Sequence, residues 1–172
     1  MEATLKPGIT LLIVKPKITR SFFEVTRGQE IIGSITFPKT FGTLAEVKLF
    51  EEEWSFKRMG FWKPYITVRR RDATQDYMQV PFSSKFQGLL SFSTKHGESY
   101  ELTQTGFWHP KWVWNKQKKT LIEYDLKFGI KKYAEAIIRE NDELLPLLLM
   151  IGSYGLIMQG WDETAATTVV IA

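Results

Sequence analysis

The sequence predicts a mainly β domain, a closed antiparallel barrel of about twelve strands around one central hydrophobic C-terminal α-helix. Three observations carry this expectation. Turn-forming residues recur at short intervals through most of the chain, and the segments between them alternate apolar and polar residues. One stretch near the C-terminus, from Leu144 to Met158, contains no charged residue.

Pro7-Gly8, Gly28, Pro38, Gly42, Gly60, Pro64, Pro81, Gly88, Gly97, Gly106, Pro110 and Asn115 supply the punctuation. Short strands separated by such signals, roughly 8–15 residues apart, build sandwiches or barrels. The aromatic content of 14%, with 6 Trp and 12 Phe, points the same way, because aromatic side chains fit a half-buried pleated surface.

Residues 9–14 are a continuous apolar run and read as the first strand. Residues 21–26 and 30–37 flank Arg27-Gly28-Gln29 and read as a hairpin around a Gly-containing turn. Residues 44–50, 54–59 and 65–69 alternate: Trp54, Phe56 and Arg58 share one face, and Ile66 and Val68 lie opposite Tyr65, Thr67 and Arg69. Residues 76–82, 89–94 and 99–104 follow. Residues 111–115 and 120–124 flank the polar linker 116–119 as a further hairpin, and in 134–139 the residues Ala134, Ala136 and Ile138 share a face.

The helix is expected over 142–159. Asn141-Asp142 caps it, and Glu143 suits the positive end of the helix dipole. Pro146 falls in the first turn, where the missing N–H costs little. The segment is apolar all round, which requires burial on every side, in a protein core or in a membrane. It falls short of the ~20 apolar residues that span a bilayer, and no Lys/Arg flank anchors it. Gly152, Ser153 and Gly155 let surrounding chain come close. A core helix is therefore favoured over a membrane-inserting or partner-binding one. Such a helix needs a complete wall, and closing the strands into a barrel supplies it and removes sheet edges. The domain is expected to be single over 1–172, monomeric or weakly oligomeric. Residues 9–140 form the wall, and the tail 160–172 reads as a last strand or a loose end. No internal repeat is aligned.

Many short strands followed by one apolar helix, together with the run Asp142-Glu143-Leu144-Leu145-Pro146-Leu147-Leu148-Leu149, resembles the tubby C-terminal-like superfamily of tubby proteins, phospholipid scramblases and LURP-one-related proteins. The resemblance covers roughly residues 9–159. It implies a closed twelve-stranded barrel threaded by the helix, and a leaning toward lipid or membrane surfaces. The tubby phosphoinositide-binding positions have no residue-by-residue counterpart here, and there is no Cys-rich stretch or Ca²⁺-binding pattern of the scramblase kind.

The chain has no cysteine, which excludes disulfides, thiolate metal sites and thiol catalysis. A reducing compartment is permitted. The run 9–14 is too short for a signal-peptide core and has Glu2 ahead of it, so a cytoplasmic protein, peripheral to membrane, is expected. His96 and His109 lack metal spacing, and no phosphate-cradling glycine loop occurs. Glu51-Glu52-Glu53 reads as a solvated turn, because consecutive residues cannot aim three carboxylates at one ion. No catalytic residue, metal ligand or cofactor is expected.

Two basic clusters remain. One holds Lys57, Arg58, Lys63, Arg69, Arg70 and Arg71 with Asp72; the other holds Lys111, Lys116, Lys118 and Lys119. Trp54, Phe56, Phe61, Trp62 and Tyr65 interleave the first, and Trp108, Trp112 and Trp114 the second. Such mixtures suit an anionic membrane interface or single-stranded nucleic acid. In alternating strands they also arise simply from aromatics facing the core and cations facing water. The net charge of +4 is mild and permits anionic partners without demanding them. The leading expectation is a non-enzymatic binding or scaffold domain that touches anionic phospholipid headgroups through Arg69, Arg70, Arg71, Lys116, Lys118 and Lys119. An enzyme with a dispersed active site and a nucleic-acid-binding barrel are the alternatives.

Overall fold

The computed structural model describes residues 4–17, 22–40, 42–83, 88–127 and 131–171, with side chains as far as residue 166. Where the sequence alternates, the chain forms strands: β1 (Thr10–Val14), β2 (Phe22–Arg27), β3 (Glu30–Thr36), β4 (Ala45–Leu49), β5 (Glu52–Met59) and β6 (Tyr65–Arg70). β7 (Met78–Pro81), β8 (Gly88–Ser93), β9 (Ser99–Thr105), β10 (Lys111–Lys116), β11 (Lys119–Leu126) and β12 (Lys132–Ile138) complete the wall. One helix follows, α1 (Leu145–Ile171).

The strands form one 12-stranded sheet in the order β7-β6-β5-β4-β3-β2-β1-β12-β11-β10-β9-β8. Every neighbouring pair is antiparallel, and β1 pairs with β12, with Leu11 opposite Ala136. The two ends of the sheet meet where Phe82 bridges Leu90, and the Ser83 N–H donates to the Leu89 carbonyl at 2.9 Å. The result is a nearly closed up-and-down barrel. Alternation fills its inside: Ala45, Val47 and Leu49 of β4 point in, while Glu46 and Lys48 point out.

α1 runs through the centre. Every residue from Leu147 to Met158 is buried. Two tyrosine hydroxyls fix its depth by donating to helix carbonyls, Tyr124 to Leu149 and Tyr133 to Leu156, each at 2.9 Å. The small residues sit where wall side chains intrude: a Cβ on Gly152 would come within 2.5 Å of both the Trp114 indole nitrogen and the Tyr124 hydroxyl. Gly152 thus makes room for large side chains rather than for backbone.

Two expectations are corrected here. The helix begins at Leu145, not 142: Asp142 caps a preceding turn, its carboxylate accepting the Leu144 N–H at 2.9 Å. The tail is neither strand nor loose end, since α1 continues through it to Ile171. Gly160 does not stop the helix because contacts hold the next turn in place. Trp161 packs on Phe37 with ring centroids 4.6 Å apart, and Asp162 reaches Arg58. At 1.5 Å per residue the helix is about 40 Å long, whereas strands of this length span only about 13–27 Å. Its C-terminal turns therefore leave the barrel, and residues 162–166 are exposed.

Two substitutions test this packing and a third serves as a control. Leu148→Asp puts a charge on a fully enclosed face and is expected to abolish folding, read as loss of the cooperative unfolding transition. Gly152→Ala is expected to lower stability by about 1–3 kcal/mol through overpacking, seen in the urea midpoint. Ala165→Ser on the emerged stretch is expected to stay within about 0.5 kcal/mol of the parent.

Candidate functional site

In an up-and-down barrel the connections alternate between two rims. At the lower rim α1 enters, together with the turns β2–β3, β4–β5, β6–β7, β8–β9 and β10–β11. At the upper rim α1 leaves, among the connections β1–β2, β3–β4, β5–β6, β7–β8, β9–β10 and β11–β12.

All six residues expected to meet an anionic surface lie at or near the lower rim, and acids accompany them. Arg69 holds Asp76 at 2.9 Å and, through that bond, keeps the Asp76 carboxyl below its usual range. Arg71 is bonded to Glu53 and lowers that carboxyl too. Arg70 lies over the Tyr77 ring, 5.0 Å from its centroid. The hollow of about 440 Å³ beside them is lined by Glu46, Glu53 and Asp72 as well as by Lys48 and the three arginines. It is not selective for anions. Glu52 and Glu53 belong to β5 rather than to the solvated turn expected for Glu51-Glu52-Glu53.

Lys116 has a structural task. Its ammonium meets Asp142 at 2.8 Å and Glu98 at 2.7 Å, and lies 5.2 Å from the centre of the Tyr100 ring. Tyr100 donates to both Asp142 oxygens at 3.2 Å. Asp142, with a side chain only 4% exposed, is therefore held while it caps the turn into α1. The bond to Asp142 leads those that push the Lys116 pKa far above its ordinary value. Burial leads the upward shift of Tyr100. Lys118 and Lys119 are exposed, as are His96 and His109. Among the described residues the barrel interior is occupied by α1, whose residues from Leu147 to Met158 are all buried. Among the described residues no three His, Cys, Asp or Glu side chains group as metal ligands, and no helix is long and apolar enough to cross a membrane.

The upper rim differs in character. Its described connections carry Lys15, Lys17, Lys39, Lys63, Lys127 and Lys131 and no acid. Lys127 reaches Asp125 on β11; the other five make no ion pair among the described residues. Two loops here have the same build. Gly60-Phe61-Trp62-Lys63-Pro64 joins β5 to β6, and Gly106-Phe107-Trp108-His109-Pro110 joins β9 to β10. Each glycine is left-handed, with φ 78° and 81°, and a Cβ there would meet the carbonyl three residues on, at 2.6 Å and 3.0 Å. Each Phe stands edge-on to its Trp, with centroids 5.2 Å and 5.4 Å apart. All four rings are 85–89% exposed. Beside the first loop a groove of about 740 Å³ is lined by Trp62, Lys63, Pro64, Tyr65 and Phe82, without an acid.

In the strands the expected simple arrangement therefore holds, and Trp54, Phe56, Trp112 and Trp114 are buried. It fails in the loops, where Phe61, Trp62, Phe107 and Trp108 face water. The shared Gly-Phe-Trp-x-Pro pattern at 60–64 and 106–110 is the signal for them, a short internal repeat where none was expected. No family model, no curated protein and no solved structure matches this chain.

Two measurements check these ion-pair assignments. Lys116→Met leaves the Asp142 carboxylate without its ammonium partner and is expected to cost about 2 kcal/mol, less than a fully buried pair because Lys116 is partly exposed. Glu53, Asp76 and Glu123 have pKa values below their ordinary ones of 4.5, 3.8 and 4.5, each chiefly through its basic partner: Arg71, Arg69 and Lys111. They stabilise the fold above those ordinary values, and the contribution is lost as pH falls through the lower folded values. The urea midpoint is thus expected to hold near neutral pH and to drop below about pH 4. The elevated Lys116 acts oppositely, its contribution complete below 10.5 and lost above it.

Proposed function

We propose that this domain is a non-enzymatic module that binds anionic phospholipid surfaces and presents its upper rim to them. The observation that carries the reading is the charge segregation of that rim, where Lys15, Lys17, Lys39, Lys63 and Lys131 stand without an acid in the described connections. Each cation near an anionic membrane contributes about 1 kcal/mol. At the lower rim the acids Glu53, Asp76, Glu98 and Asp142 already hold Arg71, Arg69 and Lys116. Those cations have less to give to a membrane, so the reading moves from them to the opposite end of the barrel. The resemblance to the tubby C-terminal-like superfamily adds a leaning toward lipid surfaces. A barrel filled by its own helix favours surface binding over catalysis in an enclosed pocket.

Co-sedimentation with vesicles tests the reading. Vesicles containing phosphatidylserine are expected to capture the protein, phosphatidylcholine alone to capture far less, and added salt to release it. Lys39→Gln with Lys63→Gln is expected to weaken capture roughly thirtyfold, from about 1 kcal/mol per lysine. Lys118→Gln with Lys119→Gln is expected to leave it within about twofold. Equal capture by both vesicle types contradicts the reading.

A further inference from the structure

We infer that the Phe61-Trp62 and Phe107-Trp108 loop tips are twin interfacial anchors that enter the headgroup–acyl boundary of an anionic bilayer together. The inference rests on the anionic-surface reading and adds to it an apolar, inserting component. Four large rings at 85–89% exposure are an unusual outlay for a chain that buries Trp54, Trp112 and Trp114. They are not held loosely. In both loops a left-handed glycine, a carbonyl packed against it, an edge-to-face ring pair and a closing proline fix the same shape. Building one turn twice, 60–64 and 106–110, keeps two aromatic tips at one rim. In the sheet the hairpins β5–β6 and β9–β10 flank the β7–β8 seam on either side, so the tips form two points of contact rather than one.

Charge decides the occupant. Lys39 and Lys63 lie at the same rim, which suits a surface that is apolar below and anionic above. Tryptophan rings settle at headgroup depth, where lysines meet phosphates. Of the acids that α1 brings to this rim, Asp162 is matched by Arg58, while Glu163 accepts from the neutral Gln159 amide at 3.1 Å and sets one negative charge against the several lysines. Beyond them the sequence 164–171 carries no charge and opposes no such surface. A single weak membrane signal gives marginal attachment, and two together give stable attachment. Here the lysines supply one signal and the paired tips the other.

The test uses the full chain and phosphatidylserine-containing vesicles with brominated acyl chains. Bound protein is expected to show tryptophan quenching that falls in Trp62→Phe and in Trp108→Phe, and vanishes when both are changed. Phe61→Ser with Trp62→Ser, or Phe107→Ser with Trp108→Ser, is expected to weaken capture tenfold or more at low salt, with the unfolding transition unchanged. Salt-sensitive capture without quenching from Trp62 or Trp108 overturns the anchors while leaving the anionic-surface reading intact. Absence of any capture overturns both. A concentration-dependent dimer that the paired Ser variants abolish, without quenching by vesicles, assigns the tips to a second copy of this chain and likewise overturns the inference.

Discussion

Leu147, Leu148, Leu149, Met150 and Ile151 are consecutive in α1, so they point in every direction around it, and all are buried. No half-wall satisfies such a helix. Burying each of these side chains is worth about 1.5–3 kcal/mol, and the gain is complete only if apolar residues surround the helix. The rest of the fold follows from that demand. Each strand must alternate, the sheet must curl until β7 meets β8, and the connections must be short enough to keep all strands on one cylinder. The wall in turn depends on the helix, because Val47, Phe56, Val68, Leu102 and Ile122 would otherwise line an empty bore. Polar contacts set position within this arrangement. Tyr124 and Tyr133 fix the depth of the helix, and the Lys116–Asp142–Tyr100 cluster fixes the point at which it enters.

A filled bore moves function to the outside. With the interior given to packing, a ligand is left the rims and the outer wall. The two rims are chemically unlike. The lower rim mixes Arg and Lys with acids that neutralise them, and much of that pairing serves the fold. The upper rim gathers lysines and four exposed rings. Exposed rings cost solubility, and it is their place beside lysines that make no ion pair among the described residues that the proposed membrane-facing role would explain.

Much of the fold was legible in the sequence. The described strands occur where the turn signals and the apolar or alternating runs between them place them, with shifts of a few residues at their ends, because turn chemistry and a period of two with one buried face are local signals. The helix was legible as a composition anomaly, but its length was not. Gly160, Thr164, Thr167 and Thr168 are poor helix residues, and what extends the helix through Trp161 and Asp162 is contact with Phe37 and Arg58, residues more than a hundred positions away. The candidate site was legible only in part. A run such as Arg69-Arg70-Arg71 looks free in one dimension, yet the partner of Arg71 is Glu53, one strand over. Charge on a strand has to be counted across the sheet. The twin loops share only Gly-Phe-Trp-x-Pro, a repeat too short to stand out by itself, and their presence on one rim emerges only once the strands are ordered as a meander.

The central claim is that helix and wall form one cooperative unit. Native-state amide hydrogen exchange of the α1 backbone tests it most directly. The account predicts that the amides of Leu148 to Ile157 exchange only through global unfolding, with the same opening free energy as the central residues of β1 and β12 and the same response to urea. Exchange of those helix amides through an opening of lower free energy, while β1 and β12 stay protected, would show that the barrel stands without its axis and would contradict the account.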